Sequence, residues 1–370
     1  SMVVQHFGNN VVAGGMRRLP LALAGFLEAH QGSVRVDAQV KRILVENGKA
    51  QGVELIDGEQ IFCRKLIASS AHPRHLVLDM LGEEQVGPSV ASKIRRYELG
   101  GPGMGAYLAL DALSAFRAGR DVSSSVYTHP TDASLEYFSR NFSEARAGLL
   151  PAHPFALVCN DVAGDPSRAP EGKGLMKLVV QPVPYRIAGD AAGRIKGTEW
   201  NEVKEPFADR VIERLEREYI PNLSERILKR VVHSPLDIEQ MLPSALEGTN
   251  SHGAFLPYQV ERMRPIPELG GYRSPLSNVY LCGSGSHPGP GITMAPGRNA
   301  ASAAGTYDCG DHCRIPETFH ETFDLEVELV AVDAARSVDR EHQFQIDTNL
   351  GHAARNGGKH GKKRIQESDA

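Results

Sequence analysis

Long apolar runs are missing from this sequence. Nowhere in its 370 residues do apolar side chains continue for the roughly 18 positions that a membrane-spanning helix requires, and no basic flank followed by an apolar stretch marks a secretory signal. A strong excess of one charge is missing too. The 41 Lys and Arg stand against 45 Asp and Glu, a formal net charge of −4, which leaves no global basic field for nucleic acid. Only GGKHGKKR, near the C-terminus, is locally basic. Cysteine is sparse and odd in number: Cys63, Cys159, Cys282, Cys309 and Cys313. Such scatter excludes the framework of a small secreted fold and predicts reduced thiols in an intracellular compartment, cytoplasmic or organellar. Cys309, His312 and Cys313 lie close together, but no second ligand pair follows at zinc-finger spacing, so no metal site is predicted. Neither a GxSxG elbow nor a GxxxxGK phosphate loop occurs, which argues against a serine hydrolase of that type and a P-loop enzyme.

What is present reads as a folded protein with a sizeable core, since 41% of the residues are hydrophobic and the length suggests about two or three domains. GGMRRLPLALAGFLEAH, from Gly14, opens on two glycines and then sets Leu19, Leu23, Phe26 and Leu27 at helical spacing. Residues 33–70 change to short β-branched runs, starting with SVRV, punctuated by Asn47-Gly48 and Asp57-Gly58. Both dipeptides predict type I′ hairpin turns and hence a β-meander. A short helix, RHLVLDML, ends at Gly82. GGPGMGAYLAL, from Gly100, is a glycine-rich entry into a strand and the expected domain crossing. A strand (LMKLVVQPV), a long helix from about Glu205 to Tyr219 with Val211, Ile212 and Leu215 inward, and a strand (ILKRVVHSP) follow. From Asn278 the pattern is strand, glycine-rich loop, and a helix starting near Pro296. The run FDLEVELVAV suggests an edge strand, and the sequence beyond Arg336 reads as a disordered tail.

The chemistry concentrates in GSGSHPGPGITMAPGRNAA, from Gly283 to Ala301. A strand that runs through a glycine loop into a helix brings backbone N–H groups close to an anionic or electron-rich group. It is not a dinucleotide fingerprint, because Pro288 stands where the third glycine would be and no acidic ribose ligand follows. Taken alone, such a loop is also what an ordinary turn before a close-packed Ala-rich helix looks like.

VYLCGSGSHPGPGITMAPGRNAA resembles the C-terminal FAD-contacting signature of the phytoene desaturase-like flavoproteins, a group that includes carotenoid desaturases, carotenoid ketolases and retinol saturases. GGMRRLPLALAGFLEA, VDAQVKRILVENGKAQGVELIDGEQI, LIASSAHPRHL, DPSRAPEGKG, SPLDIEQMLP and SHGAFLPYQVERMRPIP agree in order and spacing, over about residues 5–305. Within the family the chain is most similar to the pyridine nucleotide-disulfide oxidoreductase domain 2 proteins.

The resemblance implies an α/β (α+β) fold in which a partial FAD-binding, Rossmann-like domain is interleaved with a mixed-sheet substrate domain. Residues 1–99 and 276–308 would belong to the first, 100–275 to the second, and 309–370 to a peripheral tail. It implies FAD as cofactor. Gly14 and Gly15 match the loop that approaches the flavin, Val40 the strand residue that meets the adenine, and Ser69 and Ser70 the strand end beside the cofactor. Gly283, Gly285, His287, Gly289 and Gly291 match the loop passing the pyrophosphate and ribityl chain. Met294, Gly297 and Asn299 match the helix start near the isoalloxazine. Where the family reads HPGGG this chain reads HPGPG, so Pro290 removes one N–H.

The family's opening strand, GxGxxG turn and acidic ribose ligand have no counterpart in these residues, so the chain is expected to be incomplete without a complementing N-terminal segment. The expected activity is hydride transfer between flavin and an apolar or polyunsaturated substrate; the alternative is a non-catalytic remnant or subunit that binds a partner or lipid. The helix around Val211 to Tyr219 is read as core-facing, with peripheral contact to a membrane as its lesser alternative. His287 is read as holding the loop by hydrogen bonds or as touching flavin or substrate. His252 and Arg264 are candidates for the active-site wall.

Overall fold

The computed structural model describes residues 11–131 and 134–305. The suggested edge strand, the tail and the Cys309, His312, Cys313 group lie outside them. Helix α1 (Arg18–Ala29) follows the Gly14-Gly15 turn. Strands β1 (Val40–Glu46), β2 (Lys49–Leu55) and β3 (Gln60–Phe62) then form an antiparallel meander. At the first turn both Asn47 (φ 50°) and Gly48 (φ 73°) are left-handed, as type I′ geometry demands. The second turn departs from that expectation. Only Gly58 is left-handed there, its N–H donates to Leu55 O, and the Asp57 carboxylate accepts from the Glu59 N–H, so aspartate folds the turn through its side chain. Residues 33–36, expected as a strand, are not in one. They find no partner, and Arg35 instead makes a two-pronged contact with Glu59 at 2.6 and 2.7 Å.

Strand β4 (Ile67–Ser69) leads into a π-helical turn, His75–Leu81, and then helix α2 (Pro88–Arg95). Next come β5 (Met104–Leu110), β6 (Tyr127–Thr128), α3 (Leu135–Arg146), β7 (Leu149–Leu150), β8 (Ala156–Asn160), β9 (Gly174–Val180) and β10 (Gly189–Asp190). Helix α4 (Trp200–Glu218), β11 (Ile227–His233), α5 (Pro235–Met241), β12 (Val279–Leu281) and α6 (Ala295–Ala303) complete the described chain. An antiparallel five-stranded sheet runs in the order β11-β5-β9-β8-β6, β10 pairs with β7, and β12 pairs in parallel with β4. The class is the mixed α/β (α+β) one that the sequence predicts.

Helix α4 starts at Trp200, earlier than expected, and carries Pro206 inside it. The proline costs one backbone bond. Buried Trp200 anchors the extra turn, its indole N–H donating to Tyr185 O at 2.9 Å. Val203, Phe207, Val211, Ile212 and Leu215 of α4 share one core with Leu108, Leu178 and Val180 of the five-stranded sheet. A second core gathers Val40, Val53, Ile67, Leu76 and Ile94 with Ile266, Leu269 and Val279. Buried Asn278 ties the start of β12 to the meander: its side chain accepts from Ala50 N–H (2.9 Å) and donates to Ala50 O (2.8 Å).

Candidate cofactor site

The glycine loop leaves β12 over the exit of β4. Cys282 N–H donates to Ser69 O at 2.9 Å, and the crossing is so close that a β-carbon on Gly283 would lie 2.4 Å from Ser70 O. A β-carbon on Gly285 would lie 2.4 Å from the Pro73 ring. Glycine at 283 and 285 thus has a sufficient cause within the chain. Gly289 (φ 100°) and Gly291 (φ 128°) are glycine for backbone reasons. Gly297 is different. It lies in the first turn of α6, exposed, and a β-carbon there would meet nothing within 4 Å. Met294, the residue before the helix, is left-handed and its side chain caps nothing, but the Thr293 hydroxyl accepts from the Ala295 N–H at 3.3 Å, so the start of α6 is only partly satisfied. Ile292 and Met294 stand beside it and Phe255 lies against Gly289, each with more than half of its surface exposed. Asn299, on the next turn, donates to the Tyr272 hydroxyl at 2.9 Å.

Beneath the loop sits Arg264, 1% exposed. It donates to Ser284 O through Nε (3.1 Å) and Nη2 (2.9 Å), to Ser251 O at 2.6 Å and to Ala254 O at 3.3 Å, with its guanidinium over the Phe255 ring. No carboxylate pairs with it among the described residues, and burial lowers its pKa. Arg264 therefore joins the glycine loop to the 251–254 turn by charge-assisted bonds to carbonyls. His252 lies in that turn with φ 53° and is buried. Its imidazole is pushed down to about 4 by burial, with Arg264 and His75 adding to the effect.

The structure therefore brings Ser69, Ser70, Gly283, Gly285, Gly289, His252 and Arg264 together. Gly14 and Gly15 have other neighbours: Gly14 N–H donates to Asp165 (2.5 Å), and Gly15 faces Arg168. Val40 opens β1 and is buried in the core beneath the meander. His287 is half-buried and makes no hydrogen bond among the described residues, so the loop-holding role belongs to Arg264. His72 and Tyr97, buried beside this cluster, went unseen in the sequence, and Ser286 of the glycine loop is buried as well. Helical spacing and turn chemistry carry no signal for contacts between residues so far apart.

No family model matches the chain. Sequence comparison does find relatives. The chain is 32% identical over 302 residues to the mouse (Mus musculus) pyridine nucleotide-disulfide oxidoreductase domain-containing protein 2, a match covering 78% of this chain and 50% of the relative. It is 26% identical over 298 residues to the lycopene-forming phytoene desaturase of Pseudescherichia vulneris, covering 80% of this chain and 54% of that one. The chain is a homologue of the phytoene desaturase-like oxidoreductases. This phytoene desaturase-like chain is also 29% identical over 311 residues to one of the subunits of the limonene dehydrogenase of Castellaniella defragrans, covering 79% of itself and 54% of the relative. It spans about half the length of the curated relatives it matches. Among solved structures, an oxidoreductase from Methanosarcina mazei is 17% identical with a TM-score of 0.45, covering 74% of this chain and 50% of that one. No helix among the described residues of the phytoene desaturase-like chain is long and apolar enough to cross a membrane.

Proposed function

We propose that this chain carries the flavin-ring end of an FAD site in an oxidoreductase acting on an apolar, polyunsaturated substrate. The observation that carries the reading is Gly297: an exposed glycine in the first turn of α6 that no contact among the described residues requires. A flat, electron-rich ring laid against that turn would use both the missing side chain and the positive helix end. Gly291, Met294 and Gly297 would hold the ring, and Ile292, Met294 and Phe255 would offer an apolar wall to ring and substrate. The residues present fit that end of the cofactor. A bound flavin supplies two-electron, hydride-accepting chemistry; the chain's part is to orient the ring and keep water from it.

Three relatives are named as an oxidoreductase, a dehydrogenase of limonene and a desaturase of phytoene, and both named substrates are apolar hydrocarbons. These names support a redox role over a non-catalytic one. We assign the diphosphate and adenosine end of FAD to a complementing N-terminal segment. Its docking face would be α1, twelve residues with none buried and with Leu21, Leu23 and Phe26 exposed. The scattered cysteines support an intracellular setting.

Purified chain should carry little flavin absorbance, and co-expression with a βαβ segment from the upstream half of a relative should restore it. Stoichiometric FAD in the chain alone would sink the complementing segment. No flavin in either preparation would sink the cofactor assignment.

A further inference from the structure

Buried polar atoms without partners are rare in folded proteins, and where several gather they mark something bound. Among the described residues such atoms on His72, Tyr97 and His252 lie together. His72 Nε2, Tyr97 Oη, His252 Nδ1 and Ser286 Oγ are all buried and none has a hydrogen-bond partner among the described residues. The His72 ring centre is 5.3 Å from that of His252 and 6.1 Å from that of Tyr97. The three side chains come from the exit of β4, the end of α2 and the 251–254 turn, and Ser286 comes from the glycine loop.

The protonation of His72 follows from its backbone contact. Its Nδ1 accepts from the Arg74 N–H at 3.1 Å, so the neutral ring carries its proton on Nε2, which then needs an acceptor. Burial, joined by the nearby His252, His75, Arg74 and Arg264, keeps the ring neutral. His252 Nδ1 and the Tyr97 hydroxyl can each complete a bond to the same centre. The rings are close enough for direct bonds, yet His72 Nε2, His252 Nδ1 and Tyr97 Oη make none among the described residues, which leaves a third partner to complete them.

We propose that His72, Tyr97 and His252 enclose a bound water behind the glycine loop, with Ser286 at its edge. A water accepts from His72 Nε2–H, donates to His252 Nδ1 and exchanges a bond with Tyr97 Oη, the roughly three bonds that buried waters make. Of the two nearby guanidiniums, Arg264 already faces the carbonyls of Ser251, Ala254 and Ser284 and Arg74 those of Arg95 and Tyr97, with only its Nε unpartnered among the described residues, which favours a neutral water over a small anion. The water fixes the imidazole of His252 and with it the left-handed turn whose carbonyls grip Arg264, which in turn grips Ser284 O. His72 and Tyr97 are thereby positioning residues for the glycine loop, whatever the loop binds.

Two measurements on the full chain test this. In histidine-labelled protein at neutral pH, His72 should appear as the neutral Nε2–H tautomer, with a slowly exchanging proton that shows a cross-peak to water. A high-resolution crystal structure should show density within hydrogen-bond distance of His72, Tyr97 and His252, with no anomalous peak after a bromide soak. The opposite tautomer, a charged His72, a dry centre or a bromide peak overturns the proposal. As a variant series, His72→Leu should shift the His252 nitrogen signals and lower the melting temperature, and His72→Gln, which keeps an N–H donor, should restore both. Failure of the glutamine to rescue a folded protein counts against a bridged donor.

Discussion

Among the described residues His72 and His252 are buried, and burial lowers the pKa of both, as it does that of half-buried His233. His252 is held down to about 4 and His72 to about 2, burial being the main cause in both. In the unfolded chain both titrate near 6.5. Below that value the unfolded state binds protons that the folded state refuses, so stability is complete above about pH 6.5 and is lost as pH falls toward the folded values. At about pH 5 each neutral histidine costs about 2 kcal/mol relative to neutral pH. A denaturant midpoint followed from about pH 7 to 5 should therefore drop steadily. His252→Asn, in a protein that still folds, should remove part of that slope, and a flat profile in the parent protein would contradict the burial. Carboxylates do not confuse the window. Glu54, bonded by Arg42 and Lys41, is lowered to about 2, so its loss begins at lower pH than that of the histidines.

The glycine loop and the helix after it contain glycines of opposite meaning, and substitution separates them. Gly283→Ala forces a β-carbon against the Ser70 backbone, which cannot swing aside, and should destabilise the chain by about 1–3 kcal/mol. Gly297→Ala meets nothing and should leave the melting temperature unchanged or slightly raised, alanine being the better helix former. If a flavin ring lies on that turn, the same alanine weakens flavin retention at least tenfold in a complemented protein. Retention unchanged by Gly297→Ala would remove the ring from this place. In the sequence both glycines looked alike, part of one glycine-rich loop. Only the crossing of β12 over the exit of β4 tells them apart. The legible features were those written locally: the Asn47-Gly48 turn, the strand–loop–helix at 278–303, and the inward face of α4. Helix α3 and strand β8 were missed, and so was the turn from Trp200, because Pro206 reads as a stop unless a buried tryptophan fixes what precedes it. The site residues His72 and Tyr97 were illegible for a related reason, since their role arises only when the 251–254 turn folds onto them.

Among the described residues α1 buries none of its side chains. The complementing segment proposed above would cover this apolar face. Phe26→Asp should leave the stability of the chain alone nearly unchanged, because that side chain is 52% exposed, yet should weaken pull-down of the segment. Capture of the parent chain by vesicles with no binding of the segment would point to a membrane face instead. The pairing of β12 with β4 has a consequence for the birth of the protein. The Ala50–Asn278 clamp joins residues 228 positions apart in sequence, while the core around the five-stranded sheet closes between Met104 and Val232. On the ribosome that inner core is complete while β4 still waits for its partner. The meander, helix α1 and the exit of β4 therefore emerge early and finish late, exposed apolar edges in the interval when a nascent chain most needs a chaperone.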